Sequence, residues 1–189
     1  MIGRPVSSRP ASPMQQTLFA LAALLVFSFY AMGRHQTDAE VEHDAIGSEI
    51  ETAVAEVARA TLLGATRLAF DEEDVGRSGF RTQPPGSTPG PDGGEPGGTP
   101  SGTAPFDDVD DYHGWTRELA APVGTDSVRV RVTAEVVYVY PSAPSGAAAT
   151  SPQLAKRITV SAVELPTAPL HGRTPMRAEL SRVVTPASR

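Results

Sequence analysis

The residues best equipped for ligation or catalysis lie in FDDVDDYHGW, Phe106 to Trp115, where Asp107, Asp108, Asp110 and Asp111 crowd beside Tyr112 and His113. Hard cations are held by several oxygen ligands at once, so these four carboxylates form a candidate calcium site. Their spacing is not that of an EF-hand loop. The competing reading is local: a turn of four aspartates, with Phe106 and Trp115 packing it onto the sheet. Elsewhere the reactive types are scattered. His35, His43, His113 and His171 follow no H-E-x-x-H or zinc-ligand spacing. The chain has no cysteine to serve as nucleophile or thiolate ligand, and no G-x-S-x-G elbow. No catalytic residue emerges, no cofactor other than calcium is implied, and the expectation is that the protein is not an enzyme.

Charge points the same way. Sixteen basic residues face 22 acidic ones, for a net charge of -6. Phosphate binding needs clustered cations in excess, so a nucleic-acid partner is not expected. Lys156 is the only lysine and all other basic residues are arginines, which reads as a bias of composition. The lack of cysteine leaves the redox compartment open. At 189 residues there is room for one modest domain, since domains typically run to about 100–150 residues.

The elements that must carry these residues begin with TLFALAALLVFSFYAM, Thr17 to Met32, which holds no charge. Its sixteen or so residues span roughly 24 Å as a helix, short of a hydrocarbon core of about 30 Å. Adding Met14, Gln15, Gln16 and Gly33 completes a transmembrane helix over residues 14–33, with membrane lipid as its surroundings. Arg4 and Arg9 precede it, while Arg34 is followed at once by Asp38, Glu40, Glu42 and Asp44. Basic flanks stay inside, so residues 1–13 are expected in the cytoplasm and the rest beyond the inner (cytoplasmic) membrane. A cleaved signal peptide ending near Ala31-Met32-Gly33 is the rival reading. Bulky Phe27, Phe29 and Tyr30, and the helical pattern that follows, favour a retained anchor.

Within residues 34–80, Ile46, Ile50, Val54, Val57, Leu62, Ala65 and Leu68 recur at three- and four-residue steps, predicting an amphipathic helix from about Thr37 to Phe70. Residues 81–105, RTQPPGSTPGPDGGEPGGTPSGTAP, have almost nothing to bury and read as a flexible loop. Residues 106–189 change to period two. Val128, Val130, Val132, Ala134, Val136, Tyr138 and Tyr140 share one face; Ile158, Val160 and Ala162 share another; so do Met176, Ala178, Leu180 and Val184. Three antiparallel strands are expected, and such a sheet needs a cover for its apolar face. The helix from Ile46 to Leu68 supplies it, giving an α+β fold.

A long N-terminal helix, apolar at its start and covered by a small antiparallel sheet at its end, resembles the type IV pilins and type II secretion pseudopilins. FDDVDDYHGW, and AKRITVSAVEL followed by AELSRVV, look like the corresponding stretches of minor pilins of the mannose-sensitive haemagglutinin type. The resemblance implies a structural subunit or minor component of a pilus or secretion pseudopilus, whose partners are other pilin-like subunits met through the N-terminal helix. Members of the family carry a Gly before a processing site, then Phe-Thr-Leu and a Glu five residues in. Here the nearest match is Gln15-Gln16-Thr17-Leu18-Phe19-Ala20, with neither the glycine nor the glutamate. The alternative is a lone single-pass anchored binding module outside the cytoplasm.

Overall fold

The computed structural model describes residues 13–76, 79, 81–86, 88–91, 106–165 and 174–186. The N-terminal segment as far as residue 12, most of the Pro/Gly-rich loop, the connection 166–173 with His171, and residues 187–189 lie outside the described residues. One long helix, α1, runs from Pro13 to Ala65, 53 residues without interruption. Proline is tolerated at its first position because the N–H it lacks would have no partner in the helix. The chain divides after Gly47 into two compact units.

In the first unit, the large apolar side chains between Met14 and Met32 are exposed, Phe19 and Phe29 to three-quarters of their surface. By length and composition this helix can cross a membrane. Ile46, which the periodicity places on the covered face, is 47% exposed.

In the second unit, the end of α1 buries Ile50, Val54, Ala58, Leu62 and Ala65, a single stripe at steps of four and three. The stripe lies in the same apolar cluster as one four-stranded antiparallel sheet of order β1-β2-β3-β4. Its strands are β1 (Thr116–Val123), β2 (Asp126–Tyr138), β3 (Lys156–Leu165) and β4 (Arg177–Val184). The alternation seen in the sequence holds: Val130, Val132, Ala134 and Val136 face the core from β2, and Ile158, Val160 and Ala162 from β3. Met176, Ala178, Leu180 and Val184 pack at its margin. Across the outer face of β1 and β2, Glu118 pairs with both Arg129 and Arg131, an exposed arrangement of small energetic weight.

Two expectations change. The sheet has a fourth strand, β1, whose TRELAAPV buries only Ala121 fully and carries Pro122. Proline removes a ladder donor, which an edge strand tolerates, and β1 is an edge. A two-residue turn joins β1 to β2, with Gly124 at φ 55°, a conformation that side-chain-bearing residues rarely adopt. The Gly124 N–H donates to Glu49 Oε1 of α1 at 3.0 Å. The helix also stops at Ala65, five residues short of Phe70, because the chain beyond it is captured by another partner. Ala69 N–H donates to the carbonyl of Asp107 at 3.1 Å, and Val109 N–H donates to that of Ala69 at 2.9 Å.

Ile158 has no exposed surface, so Ile158→Ala should cost about 2–5 kcal/mol of unfolding free energy through lost transfer energy and a residual cavity. Ile46→Ala, at an exposed position, should stay within about 0.5 kcal/mol. Denaturant titration of the detergent-solubilised protein checks both.

Candidate functional site

The acidic turn is built by its own aspartates. Asp108 Oδ1 accepts the N–H groups of Asp110 at 2.6 Å and Asp111 at 3.2 Å. Asp111 Oδ2 accepts those of Asp107 at 3.0 Å and Asp108 at 3.2 Å. Aspartate does this readily, since its short side chain reaches nearby backbone donors. The result is a single 3-10 turn, Asp110 to Tyr112, with Asp108, Asp110 and Asp111 buried. Phe106, Tyr112 and Trp115 lock it from the other side through edge contacts at 4.9 and 5.7 Å between ring centres. The turn then merges with β2: Gly114 N–H donates to Ala134 O at 3.0 Å, and His113 Nδ1 lies 2.7 Å from Val136 O.

Asp110 faces the other way, toward Lys156, the first residue of β3. Lys156 has no exposed surface. Its Nζ donates to Phe70 O at 2.5 Å, Asp110 Oδ2 at 2.7 Å and Asp71 Oδ2 at 3.4 Å. The ammonium also sits 4.3 Å from the ring centre of Phe70 and 5.2 Å from that of Tyr138, both favourable placements for a cation. Asp71 is shared: its Oδ1 accepts from Arg81 at 3.3 Å, and the same guanidinium engages Asp74 at 3.0 Å and Glu73 at 3.2 Å. Arg81, which composition assigns to the flexible loop, is thus held against the folded unit. A cleft of about 370 Å³ opens beside Phe70 and Arg81, with Arg67, Arg182 and Val184 on its walls.

Protonation follows from burial. The Asp108 carboxyl is pushed up to about 7, first by desolvation and then by the charges of Asp110 and Asp111. Asp110 is raised by burial against the opposing pull of Lys156. Tyr138 is raised well above the usual phenol range by desolvation and by Asp110 and Asp71.

As a calcium site the arrangement departs from expectation. Among the described residues no group of three or more His, Asp or Glu side chains is placed to hold a metal ion. Of the four candidates, Asp108 and Asp111 spend oxygens on backbone N–H groups, Asp110 meets Lys156, and Asp107 Oδ1 is buried with no hydrogen-bond partner among the described residues. His35 and His43 lie on exposed parts of α1. Sequence reasoning passed over Lys156, Asp71 and Arg81. Lys156 did carry a signal, since it shares the parity of Ile158, Val160 and Ala162, so alternation puts its ammonium on the apolar face.

The chain is therefore an α+β protein with one long N-terminal helix and an open four-stranded antiparallel sheet. No family model matches it, and neither a curated protein nor a solved structure is detectably similar.

Because its carboxyl is raised from 3.8 to about 7 on folding, Asp108 binds more protons in the folded state than in the unfolded one. Its contribution to stability is full below about pH 4 and is lost as pH rises through about 7. Asp108→Asn keeps the Oδ1 acceptor and should flatten the fall in melting temperature between those limits. An unchanged pH profile would show that Asp108 titrates normally.

Proposed function

We propose that this protein is a membrane-anchored structural subunit, a minor component of a filament of the type IV pilus or type II secretion pseudopilus kind. The single observation that carries the reading is α1 itself, one unbroken helix that is apolar and exposed over its first half and buries one stripe in the apolar core over its second. Lipid can cover the first half, with the N-terminus cytoplasmic and the sheet outside. In assembly, the same apolar surface would lie against the helices of neighbouring subunits, where side-chain packing drives association between spans. The family resemblance of the acidic turn and of β3 and β4 supports the same reading.

A second reading is favoured by Gln15-Gln16-Thr17, where the family's glycine and glutamate are absent. On that reading the span is only an anchor, and the folded unit is a binding module at the cell surface.

The absence of cysteine separates the two. Single cysteines at Leu21, Leu25 and Phe29, all exposed on α1, can be oxidised in intact membranes without background from other thiols. Assembly predicts disulfide-linked dimers at a subset of these positions, because two thiols must meet within a narrow distance and orientation. Weak crosslinking that ignores position and fades on dilution in lipid would favour the lone anchor. N-terminal sequencing of the membrane-fraction protein should find the span retained; a soluble chain beginning near Arg34 would remove both readings.

A further inference from the structure

The burial of Lys156 against two carboxylates does more than balance charge. An isolated ion pair taken out of water is expensive, and its mutual attraction repays that cost only when every remaining donor and acceptor is satisfied. Here Asp110 Oδ1 is buried and has no hydrogen-bond partner among the described residues. The identity of the cation is also informative. Lys156 is the only lysine in this chain and the other 15 of its Lys and Arg residues are arginine, yet among the described residues the one fully buried position of this kind is the lysine. Arginine is the usual choice for a buried pair, being permanently charged and able to grip a carboxylate with two N–H groups. Lysine differs in that its amine can lose a proton when desolvated and then act as a nucleophile.

We propose that Lys156 and Asp110 are joined by an intramolecular isopeptide bond between Nζ and Cγ, with Asp71 as the proton-transfer group. In the reaction, Nζ passes a proton to Asp71 Oδ2 and attacks Cγ of Asp110, the Nζ–Cγ bond forms, and the Cγ–Oδ2 bond breaks. Of the three ammonium protons, two leave with the departing oxygen as water, relayed by Asp71 Oδ2, which lies 3.4 Å from Nζ. The third stays on the new amide nitrogen and keeps its hydrogen bond to Phe70 O. Charge balances, since one cation and one anion become a neutral amide and water. No other reactant is needed.

The surroundings favour each step. Asp110 Oδ2 and Nζ are held 2.7 Å apart by the fold, which replaces a bimolecular encounter with a positioned one. In bulk water such condensation is opposed by the hydration of both ions, and folding has already removed that hydration. The raised carboxyl of Asp110 leans toward the neutral acid that the attack requires. The rings of Phe70 and Tyr138 enclose the pair. In the product Asp110 Oδ1 becomes an amide carbonyl, whose missing partner costs less than that of a carboxylate. The bond ties the acidic turn to the start of β3 across 46 residues of chain. Like a disulfide, it would constrain the unfolded state.

The single lysine makes the test direct. The full-length protein, folded and then fully denatured, is treated with an endoprotease that cuts only after unmodified lysine. An unligated chain is cut once, after Lys156. The ligated chain is expected to remain whole and to be lighter by one water than its sequence mass; a separate digest that cuts after arginine is expected to yield a branched peptide joining Lys156 to Asp110. Asp110→Ala should restore complete cleavage, and since the assay reads denatured chains it does not require the variant to fold. Asp71→Asn is expected to leave most of the chain cleavable; ligation at the wild-type level would remove Asp71 from the proton path. Cleavage of the wild-type chain as complete as that of Asp110→Ala, with no loss of water, overturns the bond.

Discussion

As the chain folds, and before any bond to Asp110 forms, one buried ammonium organises the second unit of this protein. An amine of this kind has three protons to place, and out of water each needs an acceptor. Lys156 finds three: the carbonyl of Phe70, a carboxylate oxygen of Asp110 and one of Asp71. These acceptors come from different places in the chain, the segment that follows α1 and the acidic turn, and the lysine itself starts β3. None of the three can settle without the others. Asp71 then needs relief of its own, which brings in Arg81 and, through it, Glu73 and Asp74. A single desolvated charge so fixes the path of the backbone over several segments that are distant in the sequence.

The apolar part of the unit has a different logic. Alanines at 58, 65, 121, 134 and 162 lie at the core between larger Val and Ile side chains. Small residues at such positions let the facing elements approach, while the larger ones fill the space between them. The helix stripe is held in line at one end by Glu49, which receives the N–H of Gly124 in the β1–β2 turn. At the other end, the chain after α1 pairs its backbone with Asp107 and Val109. The proposed role in a filament uses only the earlier, apolar part of the same helix, so the demands of packing and of assembly fall on separate residues.

What was legible in the sequence was whatever followed a period. The alternation in β2, β3 and β4 and the stripe from Ile50 to Ala65 are each written in consecutive residues, so they can be read without knowing the partner. β1 was missed because Leu119, Ala121 and Val123 are a thin signal broken by Pro122. The end of α1 was placed too late because Leu68 still fits the helical pattern, whereas the event that stops the helix is pairing with residues far along the chain. The acidic turn shows in the sequence but the partner of Asp110 does not, since Lys156 lies 46 residues away. Lys156 and Arg81 were discounted for related reasons. A single lysine resembles a quirk of composition, and an arginine at the edge of a Pro/Gly-rich stretch resembles part of it.

The position of Lys156 on the strand also bears on how the sheet chooses its alignment. Lys156 stands opposite Tyr138 at the end of the β2–β3 pairing. A slide of β3 by one residue would turn Ile158, Val160 and Ala162 outward, which burial alone forbids. A slide by two is subtler. It returns every side chain to its own face and sets valine, alanine and isoleucine against a row of much the same residues, so the apolar contacts discriminate poorly. It also carries the ammonium about 7 Å along the strand, away from Phe70, Asp71 and Asp110. The lysine is therefore the mark by which the sheet distinguishes its correct alignment from the nearest wrong one.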